Sequence, residues 1–269
     1  MLSFLVGRVG GDALGRGRDR AVLVASLGAV VVAAWMTLAL WGASPGSRYH
    51  GHGMPAHGTG ATEAALFVGG WLLMIVAMML PTTWPLLATF QALVRLRRRP
   101  GLLVGLVGAG YLVTWLVVGV VLHVGDRLVH AAVDAVPFLA AHSGLIAGGT
   151  VLFAGVYQFL PIKYECLDEC RSPLGFLLSH WRGVSERSEA FAIGIRHGLF
   201  CVGCWWSLML VMFAVGTGSL AWMLVLGTVM AIEKNASWGR RLSAPLGIVL
   251  ISVGGALTVA ALAAPAGGM

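Results

Sequence analysis

The sequence has few charged residues. Asp, Glu, Lys and Arg together make up 11% of the 269 residues, whereas hydrophobic residues make up 58%, and the mean hydropathy is +0.86. A water-soluble domain cannot hide so much apolar surface. The scarcity of charge therefore excludes an ordinary soluble protein. It predicts helices that cross a membrane, because a backbone in lipid must satisfy its own hydrogen bonds.

The sequence also lacks the motifs of several enzyme classes. It has no Walker loop, no G-x-G-x-x-G between a strand and a helix, and no Ser-His-Asp set with supporting context. Basic residues outnumber acidic ones, 18 to 11, but no soluble module carries a basic patch. We therefore expect no enzyme activity and no nucleic-acid partner, and we expect the lipid bilayer to surround the protein.

Apolar runs of about 20 residues predict membrane spans, and the chain has seven of them. The fold class is therefore an all-α, polytopic membrane helix bundle. The predicted spans are approximately Ala21–Trp41, Ala64–Leu93, Gly101–Val124, Ser143–Ile162, Ala190–Val215, Ser219–Trp238 and Ser243–Ala263. Every Lys and Arg except Arg48 and Arg127 falls on one side of this bundle, and basic loops face the cytoplasm. The N-terminus is expected inside and the C-terminus outside.

This topology predicts two regions. Residues 1–20 form a basic cytoplasmic N-terminal tail. Residues 21–264 form a single transmembrane helical domain, which includes a charged cytoplasmic loop with cysteines at residues 163–200.

The four cysteines form two close pairs at the ends of that charged segment, Cys166-x3-Cys170 and Cys201-x2-Cys204. Each spacing lets two sulfurs lie on one side of a helical turn, and His197 lies on the same helix face as the second pair. Both pairs are expected at the cytoplasmic face, where reducing conditions disfavour stable disulfides. The pattern predicts a metal site at the four cysteines, with His197 as a candidate fifth donor.

Methionine and histidine supply further candidate ligands. Four methionines lie in the second and fifth spans: Met74, Met78, Met209 and Met212. Three histidines and a methionine lie in an outer loop rich in Gly and Pro: His50, His52, Met54 and His57. Thioethers favour Cu(I) and imidazoles bind copper and zinc, which indicates a metal path through the bilayer and exchange outside. The alternative for the methionines is that they are ordinary core-filling residues. The alternative for the outer loop is that it is a flexible polar loop without a metal.

Two further features concern packing and charge. Gly101-x3-Gly105 predicts close approach of a neighbouring helix. Glu233 lies at membrane depth and is expected to pair with Lys234, Lys163 or Arg196, either as part of a functional site or as an interfacial ion pair.

Three segments carry a resemblance to a known family. They are Ala77-Met-Met-Leu-Pro81, the run from Tyr157 to Pro173 with Pro161, Lys163, Cys166, Cys170 and Arg171, and the run from Arg196 to Met209 with His197, Cys201, Cys204 and Trp206. They resemble bacterial integral membrane proteins named for predicted metal binding, of which some are labelled copper chaperones. The resemblance covers the second to sixth spans. It implies a multi-span helical membrane protein with a metal site at the four cysteines.

The leading hypothesis is a copper-handling protein of the bacterial cytoplasmic (inner) membrane. It would bind Cu(I) and pass it to a copper-dependent membrane or exported enzyme or to a soluble copper carrier. One alternative is an accessory subunit of a larger membrane complex with structural zinc or no metal, since four thiolates suit zinc. A third hypothesis is a thiol oxidoreductase that uses Cys201 and Cys204.

Overall fold

The protein is described by a computed structural model that covers residues 2–42, 60–142, 144–215 and 219–263. Within these ranges the chain forms helices and no strand, which confirms the predicted all-α bundle. The helices are α1 (Leu2–Gly42), α2 (Gly60–Met78), α3 (Trp84–Val94), α4 (Pro100–Ala135), α5 (Pro137–Ala141), α6 (Gly144–Tyr157), α7 (Pro161–Arg171), α8 (Pro173–His180), α9 (Glu186–Val215), α10 (Leu220–Asn235) and α11 (Ser243–Ala263). Short 3₁₀ turns at Pro81–Thr83 and Gly239–Leu242 precede α3 and α11.

Four segments of the described chain are long and apolar enough to cross a membrane. They are Arg20–Gly42, Pro100–Ala135, Glu186–Met212 and Gly239–Ala263. Two bent pairs, α2 with α3 and α6 with α7, raise the number to six if each pair is one span. The predicted sixth span is not among them. Helix α10 has 16 residues, which is about 24 Å at about 1.5 Å per residue, short of a hydrocarbon core of about 30 Å.

Proline residues produce both bends. Helix α2 ends at Met78 before Pro81, and the axis turns by 45° into the next segment. Helix α6 ends at Tyr157, and Pro161 starts α7 at 65° to it. Proline lacks an N–H group and has a fixed φ angle, so it interrupts a helix but fits the first turn of a new one.

The charged segment at residues 163–200 was predicted as a loop, and the structure corrects this. It consists for the most part of α7, α8 and the start of α9. Pro161 and Pro173 each stand in the first turn of a helix, so the prolines begin helices here as well as end them. Likewise, the basic residues before position 20 belong to the start of α1.

Glycine sets the closest helix contacts. Helix α4 packs against α9 at Gly110 and Gly194, where a Cβ atom would lie 2.2 Å from the carbonyl oxygen of Phe191 and 2.1 Å from that of Val107. Helix α6 meets α11 at Gly155 and Gly254 in the same way. Small residues let helix backbones approach closely.

The packing prediction for Gly101 and Gly105 was wrong, because no neighbouring atom lies within 4 Å of the place where a Cβ would stand at either position. The face of α4 that packs closely against α9 includes Val107 and Gly110 instead.

Large apolar side chains point outward along several helices. Examples are Val32 and Leu40 on α1, Val121 on α4, and Ile248 and Val259 on α11, all more than two-fifths exposed. A continuous apolar exterior of this kind is unfavourable in water. It is what helices that face lipid require.

We expect Gly110→Ala to destabilise the protein by about 1–3 kcal/mol, because the added methyl group meets backbone rather than a side chain that can move aside. Gly108→Ala on the same helix is the control, since a Cβ there has no neighbour within 4 Å and alanine favours helix. Thermal unfolding in mild detergent measures both. Equal melting temperatures for the two variants would contradict this account of the α4–α9 contact.

Candidate metal centre

Helices α7 and α9 bring the two cysteine pairs together. Cys166 and Cys170 lie on α7, Cys201 and Cys204 lie on α9, and the Sγ atoms of Cys170 and Cys204 are 3.8 Å apart. The Cys170 thiol also interacts with that of Cys201. All four are free cysteines, and 3.8 Å is well beyond a disulfide bond of about 2.05 Å.

Three of these thiols are buried. Cys170 is 4% exposed, and Cys201 and Cys204 are inaccessible, whereas Cys166 is half-buried. The Cys166 sulfur lies against Gly203, where any side chain would collide with it. The missing side chain at Gly203 therefore makes room for the sulfur beside Cys204.

The sulfurs are not arranged as a complete metal site. Among the residues that the structure describes, no three His, Cys, Asp or Glu side chains are grouped closely enough to hold a metal ion. The Cys170–Cys204 separation of 3.8 Å nevertheless fits two ligands of one metal. Two sulfurs at about 2.3 Å from a metal lie about 3.8 Å apart at a tetrahedral angle and about 4.6 Å apart in a line.

Polar groups from two other helices surround Cys201. The Tyr111 hydroxyl, from α4, is 3.2 Å from its Sγ atom. The Lys234 Nζ atom, from the end of α10, is 4.0 Å from it and donates to His197 Nε2 at 3.1 Å. All of these residues are buried. Of the four thiols, the Cys201 thiol therefore lies beside both a cation and a hydroxyl group.

A second buried polar cluster adjoins the thiols. Lys163 Nζ lies 3.0 Å and 3.1 Å from the two carboxylate oxygens of Glu233, and the Ser243 hydroxyl donates to the same carboxylate at 2.6 Å. Lys163 also donates to Gln158. Of the partners expected for Glu233, the structure has Lys163, while Arg196 is exposed.

The C-terminal end of α10 is held by α7. The Arg171 guanidinium donates to the backbone carbonyls of Glu233 and Lys234, and to those of Ala236 at 2.7 Å and Ser237 at 3.1 Å. The last carbonyls of a helix have no partners within the helix, and a cation is favourable there. This contact fixes Glu233 and Lys234 beside the cysteines.

The four methionines of the predicted path are all buried. Met74, Met78, Met209 and Met212 belong to the hydrophobic cluster that contains Cys170, Cys201 and Cys204. The histidines and the methionine of the outer loop, His50, His52, Met54 and His57, lie outside the described residues.

Two residues at this site had no role in the sequence interpretation. Tyr111 was not singled out, and Lys234 was considered only as a partner of Glu233. The signals were present, because Tyr111 is one of only four tyrosines and lies in an apolar run, and Lys234 is one of few cations within one. Neither of these sequence features predicts that α4 and α10 face Cys201.

Comparison with known proteins links this region to copper. A family model described as PpoB2, copper chaperone, matches residues 68–257. No curated protein matches the chain, and no solved structure does. The matched residues run from α2 into α11 and include the four cysteines, His197 and Lys234.

We expect Cys170 and Cys204 to form a disulfide when the variant Cys166→Ser/Cys201→Ser is treated with diamide, because their sulfurs are in contact. The control is Cys170→Ser/Cys204→Ser, which leaves Cys166 and Cys201. Peptide mapping by mass spectrometry identifies the linked peptides. Equal linkage in both variants would contradict the pairing of Cys170 with Cys204.

Proposed function

We propose, from the premise that the chain belongs to the PpoB2 family of copper chaperones, that it binds Cu(I) as cargo at its four cysteines and transfers it. The recipient is a copper-dependent membrane or exported enzyme, or a soluble copper carrier. The observation that supports this most directly is the contact between the two cysteine pairs, with Cys170 and Cys204 3.8 Å apart in a buried cluster.

The donor set favours Cu(I) over zinc. Thiolate and thioether are soft ligands that select Cu(I), which is satisfied by two or three sulfurs. Structural zinc prefers four ligands in a closed tetrahedron, and the described residues contain no group of even three. A pair of sulfurs with further sulfurs nearby suits a metal that is to be released.

His197 is a less accessible donor in this arrangement. Its Nε2 atom accepts a hydrogen bond from Lys234, and its Nδ1 atom is buried without a hydrogen-bond partner. Because Nε2 is occupied, His197 becomes a metal ligand only if Lys234 moves away. The cysteines are therefore the primary ligands in our proposal.

We also propose that the protein resides in the bacterial cytoplasmic membrane with the cysteines towards the cytoplasm. The support is the apolar exterior of the helices and the basic residues near the thiols, among them Lys163, Arg171 and Arg240. Basic residues concentrate on the cytoplasmic side of membrane proteins. Copper taken from the cytoplasm would meet the half-buried Cys166 first.

The buried methionines provide a route away from the thiols. Met209 and Met212 follow Cys204 along α9, and Met74 and Met78 lie on α2 in the same hydrophobic cluster. Thioethers are soft ligands that bind Cu(I) without losing a proton, so the metal can pass from one methionine to the next without proton release. The outer loop with His50, His52, Met54 and His57 would exchange copper on the far side.

We expect the full chain, purified under reducing conditions with Cu(I), to hold about one copper and the variant with all four cysteines changed to serine to hold nearly none, because thiolates are the soft ligands. His130→Asn, a change at an exposed histidine outside the cluster, is the control and should retain copper. Metal analysis by mass spectrometry gives the content.

Other results of that experiment separate the alternatives. Copper retained by the four-serine variant would exclude the cysteine site. Zinc in the native protein, lost together with thermal stability, would replace the proposal by a structural subunit. A protein without metal whose thiols respond to redox buffers would favour thiol oxidoreduction.

The methionine route predicts a change in rate without a change in binding. We expect Met→Leu changes at the four path positions, 74, 78, 209 and 212, to leave copper content intact but to slow copper release across proteoliposomes by roughly tenfold, since leucine matches the volume but has no sulfur. Met36→Leu, at an exposed position on α1, is the control. An unchanged release rate would exclude the methionine path.

A further inference from the structure

Lys234 is a buried cation whose hydrogen-bond partners are neutral. The residue is 5% exposed, and its Nζ atom lies 3.1 Å from His197 Nε2, 3.5 Å from Thr82 Oγ1 and 4.0 Å from Cys201 Sγ. The Thr82 hydroxyl donates its own hydrogen to the carbonyl of Met79, so its oxygen is free to accept. An ammonium group has three donors, and these three partners match them.

The acid next to Lys234 in the sequence does not neutralise it. The Glu233 carboxylate is engaged by Lys163 and Ser243. Lys163 and Glu233 thus form a pair without net charge. In the described part of the chain, no carboxylate lies within ion-pair distance of Lys234.

A buried cation without an anion is unfavourable, because it has lost its hydration and gained no opposite charge. The group closest to Lys234 that acquires negative charge on binding a metal is Cys201. The same sulfur has the Tyr111 hydroxyl at 3.2 Å, from the opposite helix α4. A cation and a hydrogen-bond donor therefore converge on one sulfur from two helices.

We propose that Lys234 supplies the counter-charge for copper bound at Cys201, and that Tyr111 donates a hydrogen bond to the same thiolate. The proposal rests on the function proposed above and deepens it. When Cu(I) is held by Cys201 and one other of the four cysteines, each of these two thiols gives its proton to the surrounding buffer, and the dithiolate complex carries one negative charge. The positive charge of Lys234 cancels it, so the loaded site is neutral within a low-dielectric interior.

His197 has a positioning role in this arrangement. Its Nε2 atom accepts a hydrogen bond from Lys234 and holds the ammonium group beside Cys201. The His197 ring is in turn packed against Phe176 and Tyr111, at centroid distances of 5.6 Å and 6.0 Å. Arg171 fixes the end of α10 from the other side.

The test compares Cu(I) affinity with the stability of the metal-free protein in Lys234→Met, Lys234→Arg and Tyr111→Phe. Affinity is measured by competition with bicinchoninate, a coloured Cu(I) chelator, on the full chain in mild detergent under reducing conditions. Arg240→Met is the matched control. It also removes one positive charge, but from an exposed ion pair with Asp168 that solvent screens.

We expect Lys234→Met to weaken Cu(I) binding by about tenfold or more, since a buried counter-charge is lost. The metal-free Lys234→Met protein should melt at the same or a higher temperature, because an uncompensated buried cation has been removed. Lys234→Arg, which keeps the charge, should retain most of the affinity. Tyr111→Phe should show a smaller loss, and Arg240→Met none.

Three results would overturn the proposal. Unchanged affinity in Lys234→Met, with native binding intact, would exclude the counter-charge and leave the copper function standing. Weaker binding together with a lower melting temperature of the metal-free variant would assign Lys234 a structural role. Absence of Cu(I) binding by the native protein would instead exclude the proposed function itself, and this inference with it.

Discussion

The contact between Arg171 and the last carbonyls of α10 determines the geometry of the whole site. Glu233 and Lys234 are buried where α10 ends, whereas Asn235 and Ser237 are exposed, and the last carbonyls of a helix lack partners within the helix. Arg171 satisfies several of them at once and so ties α7 to α10. With this end fixed, Glu233 faces Lys163 and Lys234 faces Cys201. The ion pair and the thiol environment both depend on one guanidinium group.

The prolines explain how a charged segment reaches this position. If α6 continued without a break, the polar residues that follow it would extend along the same helix axis. The 65° turn at Pro161 instead folds α7 against α9. The turn places Lys163 and Cys170 inside the bundle and leaves Cys166 half-buried. Charged residues within a membrane protein are tolerated when they face the bundle interior and are paired. The Lys163–Glu233 pair meets that requirement, and Lys234 meets it in our proposal only when the thiols hold a metal.

The arrangement of sulfurs suits cargo better than a structural metal. A structural ion needs a complete and rigid set of ligands, whereas a transfer protein must bind and release. One sulfur pair in contact, a third nearby and a fourth that is half-buried provide ligands that can exchange one after another. The neighbouring methionines are flexible and polarizable, so they extend the same soft-ligand chemistry along α9 and α2.

Several features of the protein follow from the sequence by itself. Composition determined that the fold is an all-α bundle with apolar faces, because it sets the partition of side chains between water and lipid. Proline positions determined where α2 and α6 end, because that depends on local backbone chemistry. Residue spacing along α9 placed His197, Cys201 and Cys204 on one helix face, since that face depends only on the helical repeat.

Only the tertiary structure decided which groups meet. Three contacts depend on the rotation of one helix against another. Cys170 contacts Cys204, Gly110 rather than Gly101 allows α4 to approach α9, and Tyr111 and Lys234 face Cys201. Such rotations are set by packing and by the satisfaction of buried polar groups over long distances in the chain, which no local pattern contains.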